Sequence, residues 1–275
     1  MQRAIGSGRL TTKHLGGRTR IADMFQHANA KIRVPKQHAD HLDAVLINTA
    51  GGLTGGDQLS WTFRAGRGTT TVIATQACER IYKSSSGAAM VTNKFELEAN
   101  SHLLWLPQET ILFEGSALNR QFNASMHETS RLTALEIIVM GREAMNETIS
   151  DTSLIDRWWV EANSEPIHAD AVRFNSASIE RLSNQASLAG HRVFGTLIDI
   201  APSSATVDPR DRVARLNALQ ASFEANEKVQ FGFSIFDKKT ITRFTARTSY
   251  DLRLRLPNLL KEFVPEYSLP SVWRL

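Results

Sequence analysis

An apolar–polar alternation of period two, cut at short intervals by turn signals, constrains this chain more than any other feature. Ala44-Val45-Leu46-Ile47 is a short apolar run that ends in Gly51-Gly52. Leu59-Ser60-Trp61-Thr62-Phe63 alternates, Ala65-Gly66-Arg67-Gly68 signals a turn, and Thr69 to Thr75 is dense in β-branched residues. Val91, Asn93, Phe95 and Leu97 fall on one face of the next segment, and Thr92, Lys94, Glu96 and Glu98 on the other. Asn100-Ser101 turns the chain, and Leu103 to Leu106 is stopped by Pro107. Thr133 to Met140, Asp156 to Glu161 and Arg192 to Ile200 are further strand candidates. Taken locally, the pattern predicts a series of hairpins or a meander. Trp158 and Trp159 must sit on opposite strand faces, one in the core and one available to a partner or to turn packing.

Two helices are expected late in the chain. Asp208 is placed to cap the first, with Pro209 in its first turn and Val213, Leu216, Leu219 and Phe223 at near-helical spacing. The second lies between Tyr250 and Phe263, where Pro257 should break or kink it. No long Gly/Ser or Pro linker and no clear repeat divides the 275 residues, so one β-rich domain over 1–275 is expected.

Composition is that of a globular protein: 42% hydrophobic, 22% charged, with a formal charge of only +4 that does not call for nucleic acid. Arg243, Arg247, Arg253 and Arg255 crowd near the C-terminus, where a partner-facing patch would fit. One cysteine, Cys78, excludes an intrachain disulfide. Met1 to Leu15 has no apolar core of signal-peptide type, and no apolar run reaches the roughly 18 residues of a spanning helix. A soluble cytoplasmic protein without membrane partners is the expectation.

Gly51-Gly52-Leu53-Thr54-Gly55-Gly56-Asp57 invites a phosphate-cradle reading, which its spacing denies. Gly56 is followed by Asp57 and Gln58 where a P-loop needs Lys and Ser/Thr, and a strand follows where a dinucleotide fold needs a helix. A glycine turn between strands remains, or a loop presenting Asp57 to a partner or an ion. His38 and His41 are the one close histidine pair, and two ligands without a third favour a solvated loop over a metal site. No Gly-x-Ser-x-Gly elbow is present, and Glu79 beside Cys78 opposes thiolate formation, so Cys78 reads as a buried structural thiol.

Together the motifs resemble one family. Gly51-Gly52-Leu53-Thr54-Gly55-Gly56-Asp57-Gln58-Leu59 is similar to the GG-x-x-GGD-x-L signature of the urease accessory protein UreD family, called UreH in some bacteria. Ile81-Tyr82-Lys83-Ser84 resembles its Phe-Tyr-Arg-Ser stretch, and Trp105-Leu106-Pro107-Gln108-Glu109 opens a segment similar to its W-L-P-Q-E. Gly141-Arg142, Asp156-Arg157-Trp158, Leu188-Ala189-Gly190 and an arginine-containing C-terminal helix follow in the family's order. The chain departs from the family at Asn48-Thr49-Ala50, usually His-Pro-Pro, and at Thr75 to Arg80, usually Thr-Pro-Ala-Ala-Thr-Lys.

The resemblance implies a mainly β, stacked-strand fold, β-helix-like or sandwich-like, with about two helices in the C-terminal third. It implies a non-catalytic scaffold that assembles with UreF and the GTPase UreG on apo-urease (UreABC). No tightly bound cofactor is implied, only transient nickel(II) moving through a water-filled passage. Asp57, Ser84, Glu136 and Asp170 would line that passage. Gly51, Gly52, Gly55, Gly56, Pro107, Gln108 and Glu109 would carry the motif. A purely structural docking module without a nickel conduit is the alternative. Spaced carboxylates and waters suit handover, because tight imidazole coordination would trap the ion.

Overall fold

The computed structural model describes residues 3–36, 39–202, 209–224, 228–236, 238–267 and 270–273. The chain opens with strands β1 (Ile5–Leu15), β2 (Arg18–His27), β3 (Ala30–Arg33) and β4 (Leu42–Asn48). Next come β5 (Gln58–Ala65), β6 (Thr70–Thr75), β7 (Glu79–Ile81), β8 (Ala89–Leu97) and β9 (His102–Trp105). They are followed by β10 (Thr110–Leu112), β11 (Ala117–Met126), β12 (Arg131–Met140), β13 (Ser153–Ala162) and β14 (Glu165–Phe174). A short helix α1 (Ser176–Ile179) precedes β15 (Val193–Ile200). Helix α2 (Pro209–Glu224), strands β16 (Val229–Ile235) and β17 (Lys239–Ala246), and helix α3 (Ser249–Lys261) follow, and short 3-10 turns lie at Glu143–Met145, Glu180–Ser183 and Ser271–Trp273.

The expected meander is corrected. From β4 to β13 successive strands do not pair as hairpins but alternate between two stacked sheets, β5, β8, β11 and β13 in one, β4, β6, β9 and β12 in the other, while β1/β2, β3/β4, β13/β14 and β16/β17 are antiparallel neighbours. Within each sheet the alternating strands run parallel to the equivalent strand one coil away. The turns signalled by the sequence act between layers. The turns after β5, β8 and β11 each carry the chain across and stack on one another: Gly68 N donates to Ala99 O at 3.1 Å and Arg131 N to Ser101 O at 2.8 Å. The architecture is thus the expected mainly β, stacked-strand one, a coil resembling a β-solenoid.

Burial follows the layers. β8 alternates, with Val91, Asn93, Phe95 and Leu97 buried and Lys94 and Glu96 exposed, because its sheet faces solvent on one side. β12 is buried along nearly its whole length, because the other sheet has the first sheet on one face and α2 and α3 on the other. Phe63, Phe95, Phe122 and Trp158 stack between the sheets at centroid spacings of 4.5–5.5 Å. Trp158 is in that core while Trp159 is 46% exposed, the split that strand geometry requires.

α2 begins at Pro209 and buries Leu216 and Phe223, while Val213 stays exposed; Asp208 lies outside the described residues. α3 does not break at Pro257. Proline removes one backbone bond, and the burial of Leu252, Leu256, Leu259 and Leu260 against the sheet outweighs that loss. Thr248 caps α3 by accepting from Asp251 N. No described helix is long and apolar enough to cross a membrane.

Candidate functional site

Three charged residues occupy core-facing positions on strands whose other inward residues are apolar. Arg120 lies between Leu118 and Phe122 on β11, Asp156 between Leu154 and Trp158 on β13, and Glu136 shares its face with Ala134 and Ile138 on β12. The parallel register sets Arg120 beside Asp156, and the stacking of the sheets brings Glu136 over both. Arg120 Nε and Nη2 donate to Asp156 Oδ1 and Oδ2 at 3.0 and 2.6 Å, Arg120 Nη1 donates to Glu136 and, at 3.2 Å, to Thr110 Oγ1. Trp105 Nε1 donates to Glu136 Oε1 at 2.8 Å. All three charged residues are 4–5% exposed.

One guanidinium faces two carboxylates, so the cluster is short of one positive charge when both are ionised. Burial pushes Glu136 up to about 7, Arg120 opposes the shift and Asp156 adds to it. Burial opposes the charge on Arg120 as well, but its two carboxylate partners raise it above its usual value.

A cavity of about 50 Å³ lies against this cluster, lined in part by Trp61, Asn93, Trp105, Thr110, Arg120 and Glu136. Asn93 Oδ1 is buried without a protein partner, an acceptor suited to a bound water. A second, larger cavity of about 140 Å³ adjoins it, lined by Asn48, Gly51, Cys78 and Arg80 among others. Trp61, Thr75 and Glu79 line both, so these three stand where the cavities meet.

Glu79 accepts from Asn48 Nδ2 at 2.9 Å, and burial raises it from 4.5 to about 7. The folded chain holds a proton there that the unfolded chain has released between pH 4.5 and 7. Ionised Glu79 thus costs stability above pH 7 and nothing below pH 4.5. Glu79→Gln, which keeps the Asn48 contact, is expected to stabilise the chain at pH 8 by about 2 kcal/mol, a Tm gain of roughly 4 °C, and to be neutral at pH 4.5. Thermal melts at the two pH values check this, and equal gains at both would contradict it.

Gly51 of the glycine loop lines the larger cavity. Gly51, Gly52 and Gly56 have φ of 78°, 152° and 86°, in the left-handed region. A Cβ on Gly55 would fall 1.9 Å from Ser84 Oγ. Leu53 N donates to Arg80 O and Tyr82 N to Leu53 O at 2.8 and 2.7 Å, which zips the loop to Ile81-Tyr82-Lys83-Ser84. The Pro107-Gln108-Glu109 segment joins the cavities to the C-terminal helix. Gln108 N donates to Thr75 Oγ1 at 2.8 Å, and Arg253 Nε to Glu109 Oε1 at 2.6 Å.

Of the four residues expected to line a passage, Glu136 lies on the smaller cavity. Asp57 closes the glycine turn instead, accepting from Ala4 N at 2.9 Å and Thr54 N at 2.8 Å. Ser84 donates to Gly87 O at 2.7 Å within its own loop. Asp170 pairs with Arg243 at 2.8 Å between β14 and β17. The arginines expected as a partner-facing patch are partly used internally: besides Arg243, Arg253 turns inward to Glu109, and Arg255 lies over the Phe223 ring. Of the histidine pair, His41 sits edge-on to Tyr267 and 3.4 Å from Asp43, while His38 lies outside the described residues.

A family model described as "UreD urease accessory protein" matches residues 4–274. The chain belongs to the UreD urease accessory protein family. A UreD from Rhizobium leguminosarum bv. viciae is 38% identical over 274 residues, covering all of this chain and 96% of the relative. A UreD from Agrobacterium fabrum is 38% identical over 277 residues, covering 92% of its length, and one from Chelativorans sp. is 36% identical over 275, covering 95%. The UreD match runs through every strand of both sheets, so the buried cluster and the two cavities lie within the family region.

Proposed function

We propose that this UreD-family chain is a non-catalytic cytoplasmic scaffold that assembles with UreF and UreG on apo-urease and passes nickel(II) through its interior. The observation that carries this reading is the run of polar lining from the glycine-loop cavity, across Glu79, to Glu136 and the Arg120–Asp156 pair. Cargo must be held loosely at each stop. Glu79 and Glu136 are both raised to about 7, so near neutral pH each is poised to give up a proton to an arriving cation and take one back as it leaves. Carboxylate oxygens bind nickel less avidly than imidazole or thiolate, which favours release.

Glu136→Gln tests the reading. It keeps the shape and the Trp105 hydrogen bond while removing the charge. Co-expressed with urease and the other accessory proteins, the variant is expected to assemble normally yet leave urease nickel-poor, with activity reduced several-fold. Assembly is checked by co-purification and loading by metal analysis of the urease. Fully loaded urease with Glu136→Gln would instead support the alternative, a docking module without a conduit.

A further inference from the structure

Both sheets end at one corner of the molecule, and positive charge is concentrated there. Residues 3–36 hold eight Lys and Arg against one acidic residue, Asp23, a net +7 where the whole chain carries +4, so the rest of the chain is net −3. β2 and β3 are the terminal strands of their sheets. Gln26 Oε1 accepts from Ile32 N at 2.8 Å and ties the two strands at one end. Away from that tie lies a cleft of about 590 Å³, with apolar lining from Ile21, Val34, Pro35 and Leu42 and cationic lining from Arg20 and Lys36.

The register makes this cleft an extension of the core. Met24 pairs with Leu10 and Ile21 with Thr12, and both of those β1 residues are buried. Met24 and Ile21 therefore belong to the inward face, yet they are 41% and 38% exposed because β2 overhangs the core. The charge nearby is uncompensated. Asp23 is taken by Arg9 at 3.0 Å and Asp40 by Arg18 at 3.5 Å. Lys13, Arg20, Lys31, Arg33 and Lys36 are exposed and have no carboxylate in ion-pair range among the described residues.

We propose that this corner docks an acidic segment of a partner protein, with apolar side chains entering the cleft and carboxylates meeting Arg20, Arg33 and Lys36. Arg20 and Lys36 line an open apolar recess, with Lys13, Lys31 and Arg33 on the strands that flank it, and an acidic segment both relieves the repulsion among these cations and covers the recess. Nucleic acid fits less well, since the exposed ring beside the cations, Phe25, already has Arg9 over it at 5.6 Å. A lipid surface would need its apolar groups on a projecting tip, whereas these line a recess. The inference stands apart from the nickel reading, whose residues lie in the interior away from this corner.

The test uses the purified full chain and a fluorescent twelve-residue peptide alternating Glu and Leu, read by anisotropy. The peptide is expected to bind, to weaken with added salt, and to weaken at least tenfold when Gln replaces its Glu residues. The variant R20E/R33E/K36E should lose at least tenfold in affinity, and K94E/R157E, exposed cations elsewhere, should match the parent. Circular dichroism reports folding, and R20Q/R33Q/K36Q, expected to weaken binding less, serves if charge reversal unfolds the chain. Absent peptide binding, binding indifferent to the cleft variants, or tighter binding to phosphatidylserine vesicles or duplex DNA than to the peptide would each overturn the proposal.

Discussion

Replacing Arg120 by methionine is expected to cost about 3–5 kcal/mol and to leave the chain largely unfolded in cells, because it strands two buried carboxylates without a counter-charge. Glu136 and Asp156 are each about 95% shielded from solvent and touch the same guanidinium. Protonating both would lessen the loss, but Asp156 would still lose its two-pronged donor and Thr110 its partner. The measurement is the urea midpoint, with the slope as a check that the same surface unfolds. A midpoint unchanged from the parent would show that the cluster carries no structural weight. The triple variant R120M/E136L/D156L sharpens the argument, since an ion cluster exchanged whole for apolar groups is often neutral in stability. It is expected to recover most of the lost stability and still fail to activate urease. That combination would separate a conduit from a fold element, which the single variant cannot do.

That cluster was legible in part. The alternation on the strands was plain, and a charged residue at an inward position breaks it in a visible way, as at Arg120 in Leu118-Asn119-Arg120-Gln121-Phe122. The pairing of Arg120 with Asp156 is not visible in the sequence, because it needs the register between strands 36 residues apart. The same gap explains the meander reading: turn chemistry marks where the chain reverses but not whether it returns to the same sheet or crosses to the next. Asp57 shows the opposite limit. Its glycine-rich setting suggested a residue offered to an ion, whereas its carboxylate is used up by two backbone N–H groups that hold the turn. Pro257 shows local propensity overruled by burial, four leucines of the same helix being packed on the sheet. The basic corner was readable as charge, but the whole-chain balance of +4 hid it, because the remaining residues are net acidic.

The second large effect is expected at the other end of the interior. Arg253→Ala should destabilise the chain by about 3 kcal/mol and loosen α3, because Glu109, 1% exposed, would lose its buried counter-charge. Arg253 also lies 5.3 Å over the Trp273 ring, whose Nε1 donates to Leu106 O at 2.9 Å, so the same change weakens the clasp between the C-terminal segment and the Pro107-Gln108-Glu109 stretch. Cys78 gives an independent readout. Burial pushes its thiol up to about 12, with Glu109 at 3.2 Å adding to the shift and Arg253 at 3.5 Å opposing it. Glu109→Gln removes the negative charge and keeps the cation, so the thiol pKa should fall and alkylation by iodoacetamide at pH 8.5 should speed up, provided the fold is intact by circular dichroism. In Arg253→Ala under native conditions the charge effect runs the other way, and any acceleration must come from helix loosening, which added urea would amplify. If Glu109→Gln left the alkylation rate unchanged, the contact between Glu109 and the thiol would not persist in solution. The packing of α3 on this segment would then have to rest on its leucines alone.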